Sequence, residues 1–339
     1  MQEQNLRIYM FDNLKAVLIL LVVFGHALEP ILYEKIKIIY SFIYLFHMPL
    51  FVFCSGYLSK YNVKKILTNI FYPFILFQLL YCLFDINAPI QFTTPYWNLW
   101  YLFAIAIWIL ILPLLEIIIK TKIRIIALIS FAFLLGILSG FDITLGYYMS
   151  LSRIIYFLPF FIVGFCVKRA VKIEKLQLVI SKWYIRYIVG ILTAVIILWL
   201  CFYYKNMDVR WLYGSYAYNG GYSYMTRILF YFSAFVISLF LISVIPKNKT
   251  FFSYIGQRSM QIYLLHGFVI YINENICRHI QNNYVKLLIS CVLSILVVFI
   301  LSCRLVQKIT YPLFSCAWVY KFRTLLHKQD EKNDCKRFT

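Results

Sequence analysis

Residues 12–30 read DNLKAVLILLVVFGHALEP, an apolar run interrupted by two ionisable side chains, Lys15 and His26. A run of this length and composition is a membrane-spanning helix. A titratable group inside such a helix costs at least a few kcal/mol unless it is paired or used, so each is a functional hypothesis by itself. Their spacing of eleven residues returns to within about 20° of the starting helical face and rises about 16 Å. Both side chains are therefore expected to point into one cavity or interface.

The same apolar texture continues outward from this segment. Over 339 residues the mean hydropathy is +0.79, with 63% apolar and 14% charged residues. Those values exclude an ordinary soluble domain, and the runs are too long and continuous for the strands of a membrane barrel. The fold class expected is an all-α, polytopic membrane bundle of about ten transmembrane helices. They fall near 14–32, 37–58, 66–84, 97–119, 123–142, 151–170, 184–204, 224–245, 254–277 and 285–304. The first run is too long for a signal peptide and lacks a small-residue cleavage site, so it should remain as the insertion helix. Short connections imply one membrane-embedded domain over 1–310. Residues 311–339, ending KFRTLLHKQDEKNDCKRFT, form a basic amphipathic cytoplasmic tail. The gap 205–223, KNMDVRWLYGSYAYNGGYS, reads as an interfacial aromatic anchor or a lid that contacts sugar.

The net charge of +20 does not indicate nucleic acid here, because the basic residues sit in short gaps between apolar runs. It points to topology and to contacts with anionic membrane lipids. Of the 33 Lys and Arg, 24 fall on one side of the ten expected spans and six on the other, while Lys15, Arg153 and Arg227 lie within or at the edge of spans. That bias places the N- and C-termini in the cytoplasm and the protein in the cell (plasma) membrane as a multi-pass chain. The nine Cys show no CxxC and no metal spacing; they read as packing residues, and no metal is expected. No internal repeat or matched pair of broken helices marks a secondary transporter.

With this topology, Lys15 lies at the cytoplasmic edge and His26 twelve residues in, slightly past mid-depth. His47, in LFHMPLFVFCSGYL, and His266, in SYIGQRSMQIYLLHGFV, fall at a similar depth in two other spans. One His on an apolar helix is more often a hydrogen-bonded core residue; three at one level favour an active cavity. Glu29 follows His26 by three residues and is placed to orient the imidazole, or else is an interfacial acid at the helix end. Asp12 precedes Lys15 by three residues, a pair suited to a phosphate- or nucleotide-reading corner, although Lys15 also has the length to snorkel. Arg153 opens the sixth span and is expected to bind a carboxylate, an anion or a carbonyl, or to snorkel. Pro49 should bend the second span just after His47, and Trp100 reads equally as a belt residue.

These residues carry a resemblance. DNLKAVLILLVVFGH, FHMPLFVFCSGYL, the Trp-Tyr-Leu of NLWYLFAIAIW, RIIYFLPFFIVGF and YIGQRSMQIYLLHG occur in an order that resembles the acyltransferase-3 family of membrane-bound acyltransferases. More narrowly, the chain is similar to the stand-alone fucose 4-O-acetylase-like and capsular polysaccharide O-acetyltransferase members, over about residues 10–305. The resemblance implies transfer of an acyl group, such as acetyl, from cytoplasmic acetyl-CoA or another acyl-CoA to a hydroxyl of a cell-surface or capsular glycan or its lipid-linked precursor. The family's first-span signature is a basic residue, usually Arg, ten intervening residues, then His. Here these are Lys15 and His26, and Lys lacks the planar fork with which Arg grips phosphate. Arg153 matches the family's later Arg, and His47 falls in its second motif.

On this reading, CoA phosphates dock near Asp12 and Lys15, and the pantetheine arm rises toward His26. His26 acts as general base or as transient acyl acceptor. Arg153, His47 or Trp100 holds the acceptor or polarises the thioester carbonyl, and His266 completes the polar layer. A non-enzymatic transporter of a glycan or lipid-linked sugar is the alternative, and a scaffold in a polysaccharide-synthesis complex would leave Lys15 and His26 unexplained.

Overall fold

A computed structural model describes residues 7–84 and 93–316. Among them are fifteen α-helices and no strand. In order they are α1 (Tyr9–Leu28), α2 (Glu34–Leu58), α3 (Val63–Ile66), α4 (Tyr72–Phe84), α5 (Trp100–Leu110), α6 (Leu112–Ile118), α7 (Lys122–Leu138) and α8 (Leu151–Ala170). There follow α9 (Ile173–Ile180), α10 (Trp183–Tyr203), α11 (Tyr224–Val244), α12 (Phe251–Gly256), α13 (Ser259–Arg278), α14 (Asn283–Ser302) and α15 (Arg304–Phe314). The fold is all-helical, as helices alone keep every backbone group paired in hydrocarbon short of a closed barrel.

Among the described residues, seven helical segments are long and apolar enough to cross a membrane, or eight if α5 and α6, bent by 47° at Ile111, form one span. The difference from ten has local causes. At 17 residues, α7 is short, and α13 carries Gln261, His266, Asn273, Glu274 and Asn275 along an otherwise apolar helix. Most of the expected tail, residues 317–339, lies outside the described residues; α15 precedes it, with Leu305, Ile309 and Tyr311 exposed.

The bundle is built around α1, which packs against α2, α12, α13 and α14, and around the long contact of α2 with α8. Two facing glycines set that second contact. A methyl on Gly56 would lie 2.0 Å from the carbonyl oxygen of Phe161, and one on Gly164 would lie 2.1 Å from that of Phe53. Only hydrogen fits there, so the two backbones touch, as small residues permit in membranes. α2 continues as one helix through Pro49.

The segment after α10 folds back onto the bundle, with Met207, Trp211, Leu212 and Tyr222 buried. Arg227 of α11, fully buried, anchors it. Its guanidinium donates to the carbonyls of Gly136 and Tyr216, both at 2.8 Å, and to the hydroxyls of Ser139 (3.0 Å) and Tyr222 (2.9 Å). The rings of Tyr156, Tyr218 and Tyr222 surround the cation, at 4.7 to 5.3 Å.

Candidate active site

The site gathers where α1 ends. Pro30 lies in a short 3-10 turn, Glu29–Ile31, that closes α1 at Leu28, because its ring cannot continue the helix. Since α1 begins at Tyr9, His26 occupies its last turn and not the mid-helix level expected from a span starting at 14. Its Nδ1 is 2.8 Å from Glu29 Oε1. The Tyr44 hydroxyl donates to the same carboxylate oxygen at 2.9 Å and lies 3.1 Å from Nδ1. Tyr40 reaches Glu29 at 3.5 Å and meets the Tyr213 hydroxyl at 2.7 Å. Burial pushes the Tyr213 phenol up to about 12, so it keeps its proton for that contact. With Nδ1–H donating to Glu29, the imidazole is fixed in one tautomer and Nε2 carries the lone pair.

Two further histidines, from α2 and α13, converge on this point. His266 stacks on His26 with ring centroids 5.5 Å apart. Its Nδ1 lies 2.7 Å from the Tyr263 carbonyl and therefore donates, leaving Nε2 as a buried acceptor without a partner. His47 Nδ1 donates likewise to the Ile43 carbonyl at 2.8 Å, and its ring meets Tyr44 edge-on at 4.7 Å. Trp97 packs against His26 at 4.3 Å. Its backbone has φ of +23°, a conformation unfavourable for a bulky residue and tolerated where surrounding structure enforces it.

His26, Glu29 and Trp97 line two cavities at once. The smaller, about 280 Å³, also touches Tyr44, His47, Trp100, Tyr147, Arg153 and Tyr213. Among the described residues, Arg153 has no carboxylate partner there. Its guanidinium lies over the rings of Trp100 (5.4 Å) and Tyr147 (5.1 Å), and its buried Nε is unpaired. The larger cavity, about 530 Å³, extends along α4 and α13 to Tyr81, Tyr96, Glu274 and Arg278. Both volumes suit small-molecule ligands or parts of them. Among the described residues, no group of three His, Cys, Asp or Glu could hold a metal ion.

Asp12 and Lys15 sit at the opposite end of α1 and line neither cavity. Asp12 is buried and receives Arg7 at 2.6 Å, Lys15 at 3.3 Å and Gln257 at 3.5 Å. Of the sequence candidates, His26, Glu29, His47, Arg153, Trp100 and His266 therefore share one neighbourhood, and Asp12 with Lys15 forms a separate pair. Sequence reasoning passed over Trp97, Tyr40, Tyr44, Tyr147 and Tyr213. One signal was available: Tyr40, Tyr44 and His47 repeat at spacings of four and three, a single helical face.

A membrane helix bundle with an oriented imidazole–carboxylate pair at the junction of two cavities has the architecture of a membrane-embedded enzyme. The chain belongs to the acyltransferase-3 family, whose acyltransferase-domain model matches residues 8–303. It is also similar to nodulation protein NolL of Sinorhizobium fredii (strain NBRC 101917 / NGR234), at 39% identity over 66 residues. A second similarity is to nodulation protein NolL of Mesorhizobium japonicum (strain LMG 29417 / CECT 9101 / MAFF 303099), at 43% over 61 residues. These alignments span 18% and 16% of this chain and the same shares of the relatives' own lengths. No solved structure matches the chain.

Proposed function

We propose that the protein is an acyl-CoA-dependent O-acyltransferase of the plasma membrane. It moves an acetyl group from cytoplasmic acetyl-CoA to a hydroxyl of a cell-surface or capsular glycan, or of its lipid-linked precursor. The observation that carries this reading is the 2.8 Å contact of His26 Nδ1 with Glu29, which leaves Nε2 as the base at a junction of two cavities.

In the reaction, Nε2 takes the proton of the acceptor hydroxyl as its oxygen attacks the thioester carbonyl carbon. The new C–O bond forms, the C–S bond breaks, and the departing CoA thiolate recovers the proton from His26. Glu29, held by Tyr44, stabilises the imidazolium between those steps. Arg153, free of any carboxylate, faces the carbonyl oxygen as negative charge develops on it. Lys15, positioned by Asp12, meets the CoA phosphates at the cytoplasmic mouth, where the basic loops add long-range attraction.

The test compares surface glycan from cells lacking the protein with glycan from complemented cells, by NMR before and after mild alkali. An O-acetyl resonance that depends on the protein and vanishes with alkali is expected. Equal O-acetylation in both strains, or glycan movement by purified protein in vesicles without acetyl-CoA, would overturn the reading in favour of a transporter.

A further inference from the structure

A transferase must bring two substrates to one base, and His26 borders two cavities of different chemistry. From this, and resting on the transfer reading above, we infer that the larger cavity is the acceptor subsite and that it takes a neutral, hydroxyl-rich sugar ring. The smaller cavity then holds the thioester.

The larger cavity's walls support that division. Tyr96, Trp97 and Tyr271 supply ring surface, backed by Tyr81, which is clamped between Tyr96 at 5.0 Å and Phe268 at 4.5 Å. Flat aromatic faces suit the C–H face of a pyranose, whose apolar side buries while its hydroxyls stay at the edge. At the rim, Glu274 and Arg278 form an ion pair at 2.7 Å, with 43% and 66% of their side chains exposed. Such a pair offers both an acceptor and a donor to vicinal hydroxyls through charge-assisted bonds.

Charge separates the two cavities. Among the described residues, the larger one presents the Glu29 and Glu274 carboxylates against the Arg278 guanidinium, a balance that disfavours the phosphates of CoA. The smaller one presents Arg153, with its buried Nε unpaired, against Glu29 alone. A thioester carbonyl acquiring negative charge is served on that side and not on the other. The cavities meet at His26, so a hydroxyl entering from one side reaches Nε2 beside a carbonyl held on the other.

The probe for the test is surface glycan from cells lacking the protein, stripped of esters by mild alkali. In Glu274→Gln/Arg278→Gln protein, the KM for this glycan should rise about tenfold, the scale of one or two lost charge-assisted bonds, while the KM for acetyl-CoA stays within about twofold. Gly267→Ala gives a second, uncharged variant. Its new methyl would fall 2.4 Å from the Tyr81 hydroxyl, forcing that ring and the Tyr96 ring stacked on it to shift, and should raise the same KM. Glu116→Gln, a change in an exposed pair with Arg169, should move neither constant. Glycan binding to detergent-solubilised protein without acetyl-CoA should weaken in parallel with the KM. A rise in the acetyl-CoA KM with the glycan KM unchanged, or no change in either, overturns the assignment while ester formation still upholds the transfer reading. Glycan binding lost in the variants with no ester formed by the unsubstituted protein would sink the transfer reading and leave the sugar cavity standing.

Discussion

The two ends of α1 treat polar side chains in opposite ways. At the N-terminal end every demand is met. Asp12 is gripped by Arg7, Lys15 and Gln257, and Asn13 makes four bonds. Its amide donates to the carbonyls of Pro246 and Asn248, and its oxygen accepts from Thr250 and Ser253. At the C-terminal end His26 and Glu29 face cavities, while His266 Nε2 and Arg153 Nε stay buried and unpaired. Buried polar atoms are nearly always satisfied in folded proteins. The closed end holds α12 onto α1 and, on the proposed reading, keeps Lys15 in place for the CoA phosphates, whereas at the open end a substrate supplies the missing partners.

Substitutions at each end should separate these roles. His26→Ala has the largest expected effect, a fall of about 10³ in kcat, within the range for a general base, with the protein still folded by thermal-shift measurement. Near-normal glycan O-acetylation by this variant would break the contrast. Glu29→Gln keeps the shape but loses the charge that steadies the imidazolium, and about 10²-fold in kcat should follow, near 2.7 kcal/mol. At the closed end, Asn13→Ala should cost about 2 kcal/mol of stability by stranding the hydroxyls and carbonyls it serves. It should show in the melting temperature, with kcat little changed. A large kcat loss without destabilisation would mean that the closed end is catalytic too. Tyr44→Phe removes one of the bonds to Glu29 and should lower kcat only about fivefold, close to 1 kcal/mol.

Much of this was legible in the sequence, and the limits have physical causes. Apolar runs announce helices because hydrocarbon admits little else, and three histidines within apolar helices announced a shared site. The span count was less legible, since length and mean hydropathy miss the short α7 and the polar α13. The place of His26 along its helix was less legible, because an apolar run does not reveal that α1 starts at Tyr9. Of the tyrosines around Glu29, Tyr40 and Tyr44 share the helical face of His47, whereas Tyr213 comes from the folded-back segment after α10, and its convergence has no signature along the chain. Trp97 was hidden differently. It lies in YWNLWY beside Trp100, where interfacial anchoring accounts for aromatic residues by default. Its unusual backbone and its contact with His26 appear only in three dimensions.

The glycine clasp between α2 and α8 bears on how the site can be reshaped. His47 and Tyr44 ride on one helix and Arg153 on the other, and the helices already touch backbone to backbone at Gly56 and Gly164. They behave like the jaws of a calliper welded at one setting. The slot between imidazole and guanidinium has no give from helix sliding, because any larger residue at the clasp collides with main chain. A wider slot has to come from trimming the side chains that project into it, such as Met48 and Phe157. Relatives that accept bulkier groups would then differ in the bore of the slot and keep its frame.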